Sequence, residues 1–288
     1  MHPARSLVRT ARQRFGLALL SLSLLAGCMT VSRDEGEDEG EEDAHHAMLE
    51  AEAADLSGSA WAQLSQVVGG EAPGTWVHRR YGRHKPTVYE PAVHEGRLAM
   101  HARSDAGNST LRLRLPTDAV VNPRWLTFSW FVPALNERAD LKDQDIDDAV
   151  ARVIVTFDGD RERLSVRDNM LSELANLVTG EPLPFATLMY VWDHRYPVGS
   201  VIPNPHTQRI RKLVIDSGPQ RLNQWVDQER DIEADFRLVF GELPGRVTAM
   251  GVMTDSNNTG ERVSAWFGPM MLSPRRSSEP QLASDRKD

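Results

Sequence analysis

A mainly β fold, a two-sheet antiparallel β-sandwich of jelly-roll type with two short inserted helices, is predicted by three features of this 288-residue chain. Polar and apolar residues alternate with period two over many short runs, the signature of strands with one face wet. Gly, Pro, Asn and Asp interrupt those runs at close intervals. Only two stretches carry a helical period. A parallel α/β core would need a helix after most strands, so stacked sheets are the better expectation.

Taken in order, "YEPAVHEGRLAMHA" (89–102) reads as an early hairpin with Glu95-Gly96 at its corner. "TLRLRLP" (110–116) puts Leu111, Leu113 and Leu115 on one face and Arg112 and Arg114 on the other. After the turn signal "NPR" comes "WLTFSWFV". "ARVIVTFDGD", "FATLMYVWD" and "RKLVIDSG" read as buried strands, with "RVTAMGVMTD" and "VSAWFGPMML" as a final pair. The connection "DSNNTG" (255–260) has the residues of a hairpin turn, because Asp and Asn bond to nearby backbone and Gly260 tolerates a left-handed conformation. The first helix is "RDNMLSELANLVTG", spacing Met170, Leu171, Leu174, Leu177 and Val178 along one face and stopping at Gly180. The second is "DIEADFRLVFG", with Ile232, Phe236, Val239 and Phe240 before Gly241.

The amino-terminal end carries an address. Arg5, Arg9, Arg12 and Arg14 precede "FGLALLSLSLLAG", which is short for a membrane span but suits a secretory signal. It ends at Leu25-Ala26-Gly27-Cys28, which resembles the lipobox of bacterial lipoproteins. That resemblance implies removal of residues 1–27, acylation of Cys28 (palmitate among the chains) and a lipid bilayer as partner. Met29, in place of an aspartate, points by the same resemblance to the outer membrane, facing the periplasm. Cys28 is the single cysteine, so an intrachain disulfide, a cysteine zinc site and an internal thiol nucleophile are all excluded.

The formal net charge is −8, and much of the acidic excess is local. Residues 34–52 hold ten acids and no lysine or arginine, a density at which like charges resist collapse. Residues 28–55 are therefore expected to be a disordered tether, 56–274 the β-sandwich domain and 275–288 a disordered tail. The body has no basic stripe, so no nucleic acid partner is expected.

The motifs "DIDDAVARVIVTFDG", "LMYVWD", "VIPNPHTQRIRKLVIDSG", "WVDQERDIEADFRLVFGELPGRVTAMGVMTDSNNTG" and "AWFGPMML" occur in an order that resembles the bacterial family known as domain of unknown function 3047. The resemblance runs from about Trp76 to Leu272. It implies a jelly-roll sandwich shaped like carbohydrate-binding modules and brings no established reaction. The chain departs from the family pattern at Asn257, where aspartate is more usual, and in a longer helical insert between Arg161 and Gly180.

G-x-S-x-G, H-E-x-x-H and G-x-x-x-x-G-K-[ST] are all absent, which removes the commonest serine hydrolase, zinc protease and P-loop signatures. Flat aromatic rings pack against the C–H faces of sugars, while planar amide and guanidinium groups bond their hydroxyls. The candidate ligand-binding residues are accordingly Arg152, Tyr190, Trp192, Asn204, Arg209, Trp225, Arg230, Asp255, Asn257 and Asn258. Tyr190 and Trp192 share a face of one strand. Trp76, Trp125, Trp130 and Trp266 are expected to be structural. Asp255 and Asn257 offer oxygen ligands for a structural calcium; no other cofactor is expected.

These features predict a lipid-anchored cell-envelope protein whose sandwich binds a carbohydrate or other envelope ligand. Two alternatives are a glycan-processing enzyme using loop carboxylates near Asp148 and Asp255, and a structural or assembly lipoprotein.

Overall fold

The computed structural model describes residues 52–68, 75–81, 83–115 and 123–277. Cys28, the expected signal, most of the expected tether and residues 278–288 lie outside these. Among the described residues the strands are β1 (Gln66–Val67), β2 (Thr75–Arg80), β3 (Val88–His94), β4 (Arg97–Asp105), β5 (Ser109–Arg114), β6 (Trp125–Phe131) and β7 (Ala151–Phe157). They continue as β8 (Ala186–Asp193), β9 (Val201–Pro203), β10 (Ile210–Ser217), β11 (Trp225–Asp231), β12 (Val247–Met253), β13 (Arg262–Phe267) and β14 (Met271–Ser273). Besides a helical stretch at residues 52–57, the α-helices among the described residues are α1 (Ala60–Leu64), α2 (Val166–Thr179) and α3 (Ile232–Phe240).

The strands form two seven-stranded sheets, so the fold is the expected mainly β sandwich. Sheet one runs β1-β14-β6-β13-β4-β3, and β6 also pairs with β11 along its whole length. Sheet two runs β2-β5-β12-β7-β8-β10-β9. The core lies between them. Leu126, Phe128 and Trp130 of β6 and Met100 and Ala102 of β4 bury against Leu111 and Leu113 of β5, Val153 and Val155 of β7 and Leu188 and Tyr190 of β8. Full burial of each large apolar side chain contributes about 1.5–3 kcal/mol.

The early hairpin forms as expected, with His94 opposite Arg97 and both corner residues at positive φ (Glu95 46°, Gly96 75°). Other expectations need correction. The segment 255–260 is not a hairpin turn but a crossover between sheets, since β12 pairs with β5 and β7 whereas β13 pairs with β4 and β6. "VSAWFGPMML" is two strands, because Pro269 has no N–H for a ladder and Gly268 lies so close to β6 that a Cβ there would sit 2.1 Å from Ser129 Oγ. The sandwich is not wholly antiparallel: β8 and β10 run parallel, as do β1 and β14. Strand β11, "WVDQERD", escapes a periodicity reading because it is polar, as befits a strand paired on one edge.

Part of the stretch expected as tether lies among the described residues. Residues 52–57 are helical, and Ala53 and Leu56 are buried in the main core. At the other end Arg276 Nε donates to Glu229 Oε2 at 2.7 Å and Ser277 N to Glu229 Oε1 at 3.0 Å, which ties down the start of the expected tail.

The two longer helices behave differently. Asp231 caps α3 by accepting from Ala234 N, Gly241 ends it at φ 76°, and Phe236 packs on Phe157 with ring centroids 4.6 Å apart. Ser165 and Gly180 likewise bound α2. Its apolar stripe nonetheless faces water: Val166 and Leu177 are 80% and 82% exposed, and Met170 and Leu174 are exposed beside them. Asp168 and Ser172 face inward instead, the first taking a hydrogen bond from the Thr207 hydroxyl. Those polar anchors decide which side of the helix docks.

Candidate functional site

The outer face of sheet two forms the floor of a basin of about 380 Å³. Period two places Thr110 and Arg112 of β5, Arg152, Ile154 and Thr156 of β7, Thr187 and Met189 of β8 and Ile210 and Lys212 of β10 on that face. The segment after α2, Glu181 to Pro184, walls one side. Gly251 keeps the middle of the floor low. A Cβ there would meet the Leu111 carbonyl oxygen at 2.7 Å.

At one end the floor is a buried charge network. The guanidinium of Arg152 holds Asp255 through two hydrogen bonds of 2.8 Å, Nε to Oδ1 and Nη2 to Oδ2. Nη2 also reaches the Asp147 carbonyl at 3.0 Å and carboxylate at 3.3 Å. Lys212 Nζ pairs with the Asp147 carboxylate and donates to the Leu141 carbonyl at 2.9 Å. A lysine buried in a strand is tolerated because each of these acceptors replaces water. Burial pulls Lys212 below the usual lysine range, helped by Arg152 and opposed by Asp147.

The Arg152–Asp255 pair is pulled two ways. Burial works against Arg152, but Asp255 and Asp147 outweigh it and leave the guanidinium more strongly protonated than usual. Burial pushes Asp255 up to about 6 against the pull of Arg152, with Asp148 and Asp147 adding repulsion. At pH 7 both are charged. Because the folded value lies above the unfolded one, stability from Asp255 is fully present below about 3.8 and lost as pH rises through about 6. Carboxyl carbon NMR is expected to show Asp255 titrating near 6; a midpoint near 4 would mean that the site is wetter than its geometry indicates.

The other end of the basin is rich in arginine. Glu181 receives Arg112 and Arg114 of β5, and Arg79 Nη2 of β2 lies 3.7 Å from it. Burial pulls Arg112 below its usual range. Thr110 Oγ1 donates to the Tyr81 hydroxyl at 3.1 Å between the two charged ends.

Three of the expected ligand-binding residues, Arg152, Asn204 and Asp255, therefore line one basin. Asn204 Oδ1 is occupied by His206 N at 2.9 Å and Thr207 N at 3.3 Å, which shapes the turn after β9. The others are elsewhere. Tyr190 and Trp192 do share a face, but it is the inner one: they are 0% and 2% exposed, Tyr190 donating to Asp235 Oδ2 at 2.9 Å and Trp192 Nε1 to the Gly218 carbonyl at 3.1 Å. Arg230 is spent on Asp235 through hydrogen bonds of 2.9 and 2.6 Å. Arg209 stacks on Phe185 at 3.9 Å and pairs with Glu242. Trp225 is half-buried on sheet one, its Nε1 donating to the His94 carbonyl. Trp266, half-exposed on that sheet, has both faces covered, by His94 at 4.0 Å and His101 at 4.1 Å. It offers no face to a sugar.

The two residues of the calcium expectation, Asp255 and Asn257, have protein partners. Both Asp255 oxygens are engaged by Arg152, and Oδ1 also accepts from Ala149 N at 3.2 Å. Asn257 bonds its neighbour Asn258, whose Nδ2 donates to the Gln144 carbonyl at 2.9 Å. Among the described residues no group of three or more His, Cys, Asp or Glu could hold a metal ion. Asp148 does not pair with Arg152. It accepts from Asn258 N at 3.2 Å, Thr259 N at 2.7 Å and the Thr259 hydroxyl at 2.7 Å, closing the crossover like a clasp.

Sequence reasoning missed Arg79, Arg112, Glu181 and Lys212 as site residues. Lys212 was detectable as a cation inside the apolar run "RKLVIDSG". Glu181 carried no signal.

No curated protein matches this sequence. Among solved structures, the chain is similar to the xyloglucanase domain of NopAA, a type three effector from Sinorhizobium fredii, in complex with cellobiose. That similarity has 8% identity and a TM-score of 0.36 and covers 69% of this chain and 93% of that one. A family model matches residues 74–271, the span from the start of sheet two to β14, and the chain belongs to the family it describes, Protein of unknown function (DUF3047).

Proposed function

We propose that this protein is a lipid-anchored component of the cell envelope that binds a carbohydrate or other polar envelope ligand in the basin on sheet two. The observation that supports this reading is the combination of a 380 Å³ concave face, arginine at one end and neutral hydroxyls between. Apolar groups on the floor (Ile154, Met189) and the wall (Pro182, Leu183) would pack on ring C–H groups, and the guanidinium and hydroxyl groups would fix orientation. The enzyme alternative has less support, since the carboxylates it invoked, Asp148 and Asp255, have their oxygens committed to the crossover and to Arg152. Anchoring rests on the Cys28 motif alone.

A glycan array probed with the full chain in detergent tests the reading. Binding to at least one glycan class is expected, falling by about tenfold or more in Arg112→Ala. An array with no bound glycan removes the ligand reading. For the anchor, a palmitate analogue fed to expressing cells is expected to label the chain but not Cys28→Ser; labelling of both would refute that assignment.

A further inference from the structure

The segment after α2 places a carboxylate at the arginine-rich end of the basin. Gly180 ends α2 at φ 70°, and the next residue, Glu181, turns onto sheet two. There Arg112 and Arg114 converge on it from β5, and Arg79 lies 3.7 Å away on the neighbouring strand β2. Guanidinium groups match carboxylates in shape and charge better than any other side chain. The Thr110 and Tyr81 hydroxyls that follow along the floor suit the uncharged parts of a sugar.

We propose that this three-arginine cradle is the recognition subsite for a carboxylate-bearing sugar, and that Glu181 occupies it as an internal stand-in which such a ligand displaces. The inference rests on the ligand-binding reading above and assigns its ligand class. An occupant tethered within the same chain competes at high effective concentration, so an acidic ligand binds with an apparent affinity lowered by the fraction of time the cradle is closed. A neutral sugar gains nothing from removing the carboxylate.

Calorimetry on the full chain in detergent, with a galacturonate hexamer and its methyl-esterified counterpart as probes, tests this. Glu181→Ala is expected to bind the acidic hexamer about tenfold or more tightly than the wild type, with the ester unchanged. Glu181→Gln, which keeps the shape and loses the charge, is expected to shift the same way and decides the matter if the alanine variant does not fold. Equal affinity for the acidic probe in wild type and variants, with the ester also bound, overturns the stand-in and leaves the ligand reading intact. An equal gain for both probes makes Glu181 a steric plug and overturns the carboxylate assignment. Binding of neither probe by any form overturns the carboxylate-sugar assignment, while the ligand reading stands or falls with the glycan array.

Discussion

Arg152→Ala is expected to cost about 3–5 kcal/mol of folding free energy, because it leaves buried carboxylates without their main counter-charge. Asp255 is 3% exposed and would retain only the Ala149 N–H as a donor; Asp147 would keep Lys212. For a domain of this size the corresponding drop in Tm is roughly 10 °C. The deficit should depend on pH. Without Arg152 the folded-state pKa of Asp255 rises further above its unfolded value, so the variant's stability falls as pH increases. Urea unfolding at about pH 5 and about pH 8 checks this, with the larger deficit expected at the higher pH. Arg152→Lys is expected to recover only part of the loss, since an ammonium cannot make the paired Nε and Nη2 bonds to Asp255. A deficit below about 1 kcal/mol at both pH values would mean that Asp255 is solvated or neutral in the folded protein.

Trp192→Ala is expected to destabilise the domain by about 3–5 kcal/mol while leaving the ligand affinity of the folded fraction unchanged. The ring lies between the sheets, 5.9 Å from that of Trp130, whose own Nε1 donates to Asp216 at 2.8 Å. Removal opens a cavity and strands the Gly218 carbonyl. Trp192→Phe fills most of the space and is expected to cost about 1–3 kcal/mol, mainly for the lost hydrogen bond. Arg112→Ala should do the reverse, lowering affinity at smaller cost to stability. A Trp192→Ala protein with wild-type stability and no ligand binding would return this ring to the site.

These paired expectations mark where the sequence was legible. The alternation in "FATLMYVWD" correctly puts Tyr190 and Trp192 on one face, but period two does not say which face is inward. Thr187 and Met189 take the basin side because the neighbouring strands β7 and β10 direct Arg152 and Lys212 there. The polar tip "DSNNTG" reads equally well as a hairpin or a crossover. Both need the same turn chemistry, and the difference lies in which distant strands accept β12 and β13. In α2 the spacing of apolar residues predicts an amphipathic helix, and the helix forms. It docks by its polar side because Asp168 and Ser172 find partners in Thr207 and Arg161.

The sequence by itself determined the β-rich class, both longer helices with their terminal glycines, and the family, because each depends on residues within one short window or on motifs in a fixed order. Only the tertiary structure decided the site. Arg152 and Asp255 are 103 positions apart, and Arg112 and Glu181 are 69 apart. Charges so distant in sequence become partners only when strand pairing brings them to one sheet face. Burial then makes their pairing matter energetically, and no local pattern carries either fact.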